Sequence, residues 1–189
     1  MYDRKEMRKK IKEIVKHIWV NEIKNDYNRN LLIGEDTFKN AMYSHLKEYL
    51  KYEIELDDIR IYTEYYIKGA KSKADLVIGY LNPYTLKELE KTRKSYCTKE
   101  AVEPIAIFEL KFKSYSGADN DIINDLKKVK DKYMISDDLP ICDYYLAHIS
   151  EYELDELFYV EKSRKQNHYI IELAAVWNDE QQDMIWDSH

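Results

Sequence analysis

Apolar positions recur at three- and four-residue spacing over residues 3–20. Met7, Ile11, Ile14, Val15, Ile18 and Trp19 share one face, and Lys and Arg dominate the other. That period predicts an amphipathic helix. The polar run at 25–30 predicts a break. A second helix fits residues 35–51, with Phe38, Ala41, Met42, Leu46, Tyr49 and Leu50 on its apolar side. Glu35 falls on or near that face, at the first turn. The period then changes. Over 58–67, Ile59, Ile61, Thr63, Tyr65 and Ile67 alternate with Arg60, Tyr62, Glu64 and Tyr66, which predicts a strand.

Two runs that are apolar on both faces follow, at 74–80 and 104–112, each of strand length. A basic turn at 68–73 precedes the first. A charged insert at 82–103, with Pro83 and a short helix near 85–95, separates the two. After a loop at 114–117, Ile122, Ile123, Leu126, Val129 and Tyr133 predict a helix over 119–133. Residues 141–149 read as a strand, 151–157 as a short helix or turn, and 158–160 as a strand extension. Residues 168–177 read as a late strand, and the polar tail beyond is expected to fray. Helices interleaved with buried strands predict an α/β fold, a central mixed β-sheet flanked by helices.

Composition narrows this further. A chain of 189 residues, 44% hydrophobic and 35% charged with few Gly and Pro, suits one compact domain. The expected division is an N-terminal helical extension at 1–30, a core at 35–149 and a C-terminal elaboration at 150–189. No apolar run reaches the roughly 20 residues of a membrane span, so no membrane partner is expected. Cys97 and Cys142 show neither metal spacing nor a disulfide framework, and are read as free thiols of a cytoplasmic protein. The five histidines show no metal-ligand spacing. Gly69-Ala70-Lys71-Ser72 lacks the spacing of a phosphate-binding loop. No Gly-x-Ser-x-Gly turn is present.

The chemistry concentrates in the two apolar runs. Asp75 interrupts the first, where an ionised carboxylate is costly unless paired or metal-bound. Glu109 and Lys111 end the second, and side chains two apart on a strand share a face. Two acids and an amine converging at strand ends can hold a divalent cation and place a water beside it. The amine can stabilise charge that develops on a phosphate.

Asp75 with Glu109-x-Lys111 resembles the PD-(D/E)xK nuclease superfamily. That resemblance implies a restriction-endonuclease-like core of helix, three strands, helix and strand, an order that residues 35–149 match. It implies a nuclease hydrolysing phosphodiester bonds in DNA with Mg²⁺ or Mn²⁺. Asp75 and Glu109 would be the metal ligands and Lys111 the catalytic amine. Glu35, at the place where many members carry an acid on the first core helix, would complete the catalytic set, and Glu64 is a supplementary candidate. The sequence departs from the pattern at Ala74, where a Pro is usual, and in the long 82–103 insert.

The net charge of −6 is unevenly spread. Residues 133–189 carry thirteen acidic side chains against Lys162, Arg164 and Lys165, which leaves 27 basic and 23 acidic ones in residues 1–132. The local field around the motif therefore suits a polyanion. Lys71, Lys73, Lys113 and Lys128 are the expected DNA contacts, and a homodimer or protein partner is expected because two cuts need two sites. The alternative reading is a catalytically inactive nuclease-fold module that binds nucleic acid or a basic protein partner.

Overall fold

The computed structural model describes residues 3–56, 59–67, 70–81, 87, 91, 102–117, 119–134, 141–160 and 170–189. The expected short helix near 85–95 lies outside these residues, apart from Lys87 and Lys91, and so does most of the 82–103 insert.

The chain opens with α1 (Arg4–His17), which passes through a wide π turn (Ile18–Ile23) into α2 (Lys24–Asn28). Met7, Ile11, Val15, Ile18, Trp19 and Ile23 are all fully buried along it. The polar run at 25–30 does not break the helix where expected. Propagation through Asn28 adds one hydrogen bond per residue fixed, Asn25 and Asn28 face solvent, and Asp26 pairs with His45, so the polar run is accommodated in the helix. The chain turns only at Asn30, which adopts the left-handed conformation (φ 56). Helix α3 (Glu35–Tyr49) begins at a local lock: the Thr37 Oγ1 accepts the N–H groups of Ile33 and Gly34 and donates to the Gly34 carbonyl. A short continuation, α4 (Lys51–Leu56), leads into the sheet.

Six strands lie in chain order: β1 (Ile59–Ile67), β2 (Ser72–Leu81), β3 (Val102–Lys113), β4 (Asp143–Ser150), β5 (Ile170–Asn178) and β6 (Asp183–Ser188). The first three form an antiparallel meander, β3, β4 and β5 are parallel, and β6 returns antiparallel. Helix α5 (Asp119–Lys128), extended by a second π turn (Val129–Tyr133), makes the crossover from β3 to β4. This is a mixed α/β sheet flanked by helices, and the order from α3 to β4 is helix, three strands, helix, strand. β4 is buried at every position because both of its faces are covered.

Each face carries its own apolar core. Residues of α1 and α3 pack on Leu76, Ile78, Phe108, Leu110 and Tyr145. On the other face α5 and the 151–160 segment pack on Val77, Ile107, Leu146 and Ala174. Gly79 sits where the β2–β3 register shifts. A Cβ there would lie 2.5 Å from Val102 Cγ1 and 2.6 Å from the Glu103 carbonyl, so no larger residue fits.

Two expectations fail at the C-terminal end. The tail does not fray: β6 pairs with β5, and Trp186 packs on Trp19 and Tyr27 with ring centroids 5.0 and 5.8 Å apart. Its apolar residues meet the N-terminal helix, which is distant in sequence. Residues 158–160 do not form a strand, and of the helix or turn expected at 151–157 the chain takes the non-helical course, a series of bends. The N–H groups of Tyr159 and Val160 are taken by the Glu172 carboxylate instead of a strand partner. Ile141 also stays outside β4, at 62% exposed.

Candidate active site

The site is built where two strands part. The β2–β3 ladder ends at Leu76↔Phe108. Beyond it β2 continues paired with β1 as far as Ser72, while β3 continues paired with β4 as far as Lys113. Asp75 and Glu109 are the next residues on the two diverging strands. Asp75 is thus the fourth residue of β2, which begins at Ser72, two residues before the apolar run. The parting strands would leave the Leu110 N–H without an acceptor, and Asp75 Oδ2 accepts it at 2.7 Å. Beside this point the β1–β2 register runs on unshifted, but the opposed residues Glu64 and Asp75 are unpaired in it, and Glu64 takes the left-handed conformation (φ 51).

Glu109 lies deep in the fork, at 2% exposed. Its Oε2 accepts from Lys128 Nζ at 2.7 Å and its Oε1 from the Tyr133 hydroxyl at 2.7 Å. Burial pushes its carboxyl up to about 7, against the pull of Lys128 and Tyr133, and the Asp75 charge adds to the rise. Burial and the Glu109 carboxylate likewise push the Tyr133 hydroxyl far up, so it stays a donor.

Lys111, two residues on, spans the end of the sheet between helices on opposite faces. Its Nζ lies 3.1 Å from Glu35 Oε2 on α3 and 3.2 Å from Asp125 Oδ2 on α5. Burial alone would lower its proton affinity, but Asp125 and Glu35 outweigh burial and hold the ammonium above the ordinary lysine range. Lys111 is therefore a cation and donor at neutral pH, not a base. Asp125 Oδ2 is buried with no directed hydrogen bond, only the charge of Lys111 beside it. Burial raises the Asp125 carboxyl, Lys111 and Lys128 oppose that, and Asp75 again adds to the rise.

Lys39, one turn beyond Glu35 on α3, pairs with Glu64 and stands 3.5 Å from Asp75 Oδ1. The fork thus gathers Asp75, Glu109, Lys111 and Glu35, which the sequence singled out, with Asp125, Tyr133, Lys39 and Lys128 around them. Lys39 and Tyr133 carried no motif. The one available signal for Lys39 was its place four residues after Glu35, on the same helical face. Glu64 is at the rim, with its side chain 52% exposed.

The four lysines expected to meet DNA divide into two pairs. Lys71 and Lys73 are exposed around the start of β2. Lys113 is instead paired with Asp121 at 2.7 Å and with the Tyr115 hydroxyl at 2.8 Å. Lys128 points inward at Glu109. Alternation and helical period do not say which lysine finds an acid across the fold.

Asp75 and Glu109 fit a divalent cation by their chemistry. They offer hard oxygen donors from adjacent strands, and Glu109 is a buried carboxylate whose charge burial opposes. Asp125 Oδ2, buried without a directed donor, is a further oxygen of the same kind. Among the described residues no three acidic, His or Cys side chains form a ready-made metal cluster. A cation held by two carboxylates would take its remaining oxygens from water and substrate, as Mg²⁺ usually does. No described helix is long and apolar enough to cross a membrane.

No family model and no curated protein matches the sequence. Among solved structures, the chain is similar to NucC of P. aeruginosa in its cAAA-bound form, at 9% identity and a TM-score of 0.41, covering 100% of this chain and 85% of that one. It is also similar to E. coli NucC in its cAAA-bound form, at 8% identity and a TM-score of 0.44, covering 100% and 84%. For the apo form of E. coli NucC the values are 7%, 0.41, 100% and 85%. At these values no residue role transfers, and the chemistry of the site rests on its own side chains.

Proposed function

We propose that the protein is a nuclease that hydrolyses phosphodiester bonds in DNA with the help of Mg²⁺ or Mn²⁺. The observation that supports this reading is the meeting of Asp75, Glu109 and Lys111 at one strand fork. Asp75 and Glu109 would hold the cation, which when bound polarises the phosphate and activates water. Lys111, kept protonated by Glu35 and Asp125, donates to the phosphoryl oxygens as charge builds on them. Glu35 and Asp125 act through Lys111 by fixing where its ammonium points. Asp75 also locks the fork through the Leu110 N–H, so the ligand and the backbone that carries Glu109 and Lys111 move together. Lys71 and Lys73, exposed near the fork, guide the phosphate backbone toward it.

The alternative is an inactive nuclease-fold module that binds nucleic acid or a basic protein. One observation favours it: Glu109, Asp75 and Glu64 each already have a lysine beside them. Incubation with plasmid and single-stranded DNA in Mg²⁺ or Mn²⁺ separates the two readings, with Lys111→Ala as the control. Cation-dependent cleavage that Lys111→Ala loses supports the nuclease. DNA retention with no cleavage under any of these conditions supports the binding module.

A further inference from the structure

Helix α5 lays a reversed charge pair across the Glu109-x-Lys111 motif. Asp125 stands beside Lys111, and Lys128 donates to Glu109. Asp125 and Lys128 are three residues apart and share one helical face. One helix therefore neutralises both charges of the motif. The Glu109 side chain is 3% exposed, whereas Lys128 is 26% exposed. Glu109 is enclosed, whereas the Lys128 side chain is partly open to solvent. Its flexible stem allows it to swing outward without moving the backbone.

The same atoms that suit a divalent ion are thus already served by a monovalent one. A divalent ion on Glu109 Oε2 would sit close beside the Lys128 ammonium, now 2.7 Å from that oxygen, and the two positive charges would repel each other. A buried carboxylate cannot be left bare either, because the loss of one partner of a buried pair is strongly unfavourable. An exchange of partners avoids both costs.

We propose that Lys128 is the resident counter-cation of Glu109, which a divalent ion must displace in order to bind. Helix α5 then sets the cation affinity of the site and keeps it closed in the free protein. This rests on the reading of Asp75 and Glu109 as metal ligands. Lys128 is on this view a gate on the ligand, not a contact to DNA.

The test measures Mn²⁺ binding to the full chain by the spin-resonance signal of free Mn²⁺, together with thermal unfolding with and without Mn²⁺. Lys128→Met should bind Mn²⁺ about tenfold or more tightly than the parent chain, since it no longer breaks a charged hydrogen bond to do so. It should unfold at a lower temperature without Mn²⁺ and gain more from Mn²⁺ than the parent does. Lys128→Arg keeps the counter-charge and should keep the parent's affinity. Lys128→Gln removes the charge but retains a donor to Glu109, so it carries the test should Lys128→Met not fold. Equal or weaker Mn²⁺ binding by the neutral variants overturns the proposal. If parent binding is then still lost in Asp75→Asn and Glu109→Gln, the metal-ligand reading stands. Absence of Mn²⁺ binding in parent and neutral variants alike overturns both.

Discussion

The Asp75 carboxylate accepts the Leu110 backbone N–H at 2.7 Å, across the point where β2 and β3 stop pairing. Asp75 is therefore part of the fold as well as of the site. Asp75→Ala leaves that N–H without its acceptor and should cost about 1–3 kcal/mol in urea unfolding. Asp75→Asn keeps an acceptor oxygen and should cost less, while cleavage falls in both. Equal stability of the Ala variant and the parent would show that the fork closes without this bond.

Glu109 makes stability depend on pH. Burial raises its carboxyl from 4.5 to about 7 in the folded protein, so the native state holds this proton more tightly than the unfolded chain does. The resulting stabilisation is full below about 4.5 and is lost as pH rises through about 7, a change of about 3 kcal/mol at most. Glu109→Gln has no such proton. Plotted against pH, the parent's unfolding free energy should fall relative to the variant's across that window. Parallel curves would count against a buried, proton-retaining Glu109.

Lys111 bridges two carboxylates, those of Glu35 and Asp125. Lys111→Met should lower cleavage by about 10²–10³-fold, the usual loss on removing one preorganised donor to a developing anion. It should also lower the melting temperature, because Asp125 loses the charge beside its buried oxygen. Adding Asp125→Asn to Lys111→Met should recover part of that loss, and a double-mutant cycle on thermal midpoints measures the recovery. Strict additivity would mean that the two side chains do not interact.

Phosphate contact should depend on Lys71 and Lys73, which are exposed, more than on Lys113, which Asp121 and Tyr115 already hold. Charge reversal at Lys71 and Lys73 should weaken binding to a labelled duplex and flatten its salt dependence. Reversal at Lys113 should have the smaller effect on affinity. A ranking in the opposite order would move the DNA path to the other side of the fork.

Glu172 is fully buried and accepts from the Tyr159 and Val160 N–H groups, with His148 Nε2 3.1 Å away. Glu172→Ala should destabilise the protein by about 1–3 kcal/mol for each buried donor left without its acceptor. Hydrogen exchange should rise first at Tyr159 and Val160. Protection that stays unchanged there would show that other contacts anchor the segment.

The sequence by itself determined the elements whose burial is one- or two-faced along a single stretch of chain. The 3.6 period of Met7, Ile11 and Val15, the alternation through Ile59–Ile67 and the apolar runs around Ile78 and Ile107 each state their own conformation locally. Alternation also put Glu109 and Lys111 on one face. What required the tertiary structure was every relation between distant residues of mixed character. Trp186 makes the tail a strand because Trp19 and Tyr27 await it. Glu172, within an otherwise apolar β5, claims the N–H groups of Tyr159 and Val160 and so prevents a strand there. Lys128 turns inward and Lys71 outward, though composition treats them alike. Local pattern records how much apolar surface a segment must hide, but a charge is settled by the partner that folding brings to it. For Asp75, Glu109 and Lys111 those partners are Lys39, Lys128 and Asp125, on helices that cover opposite faces of the sheet and both reach the strand fork.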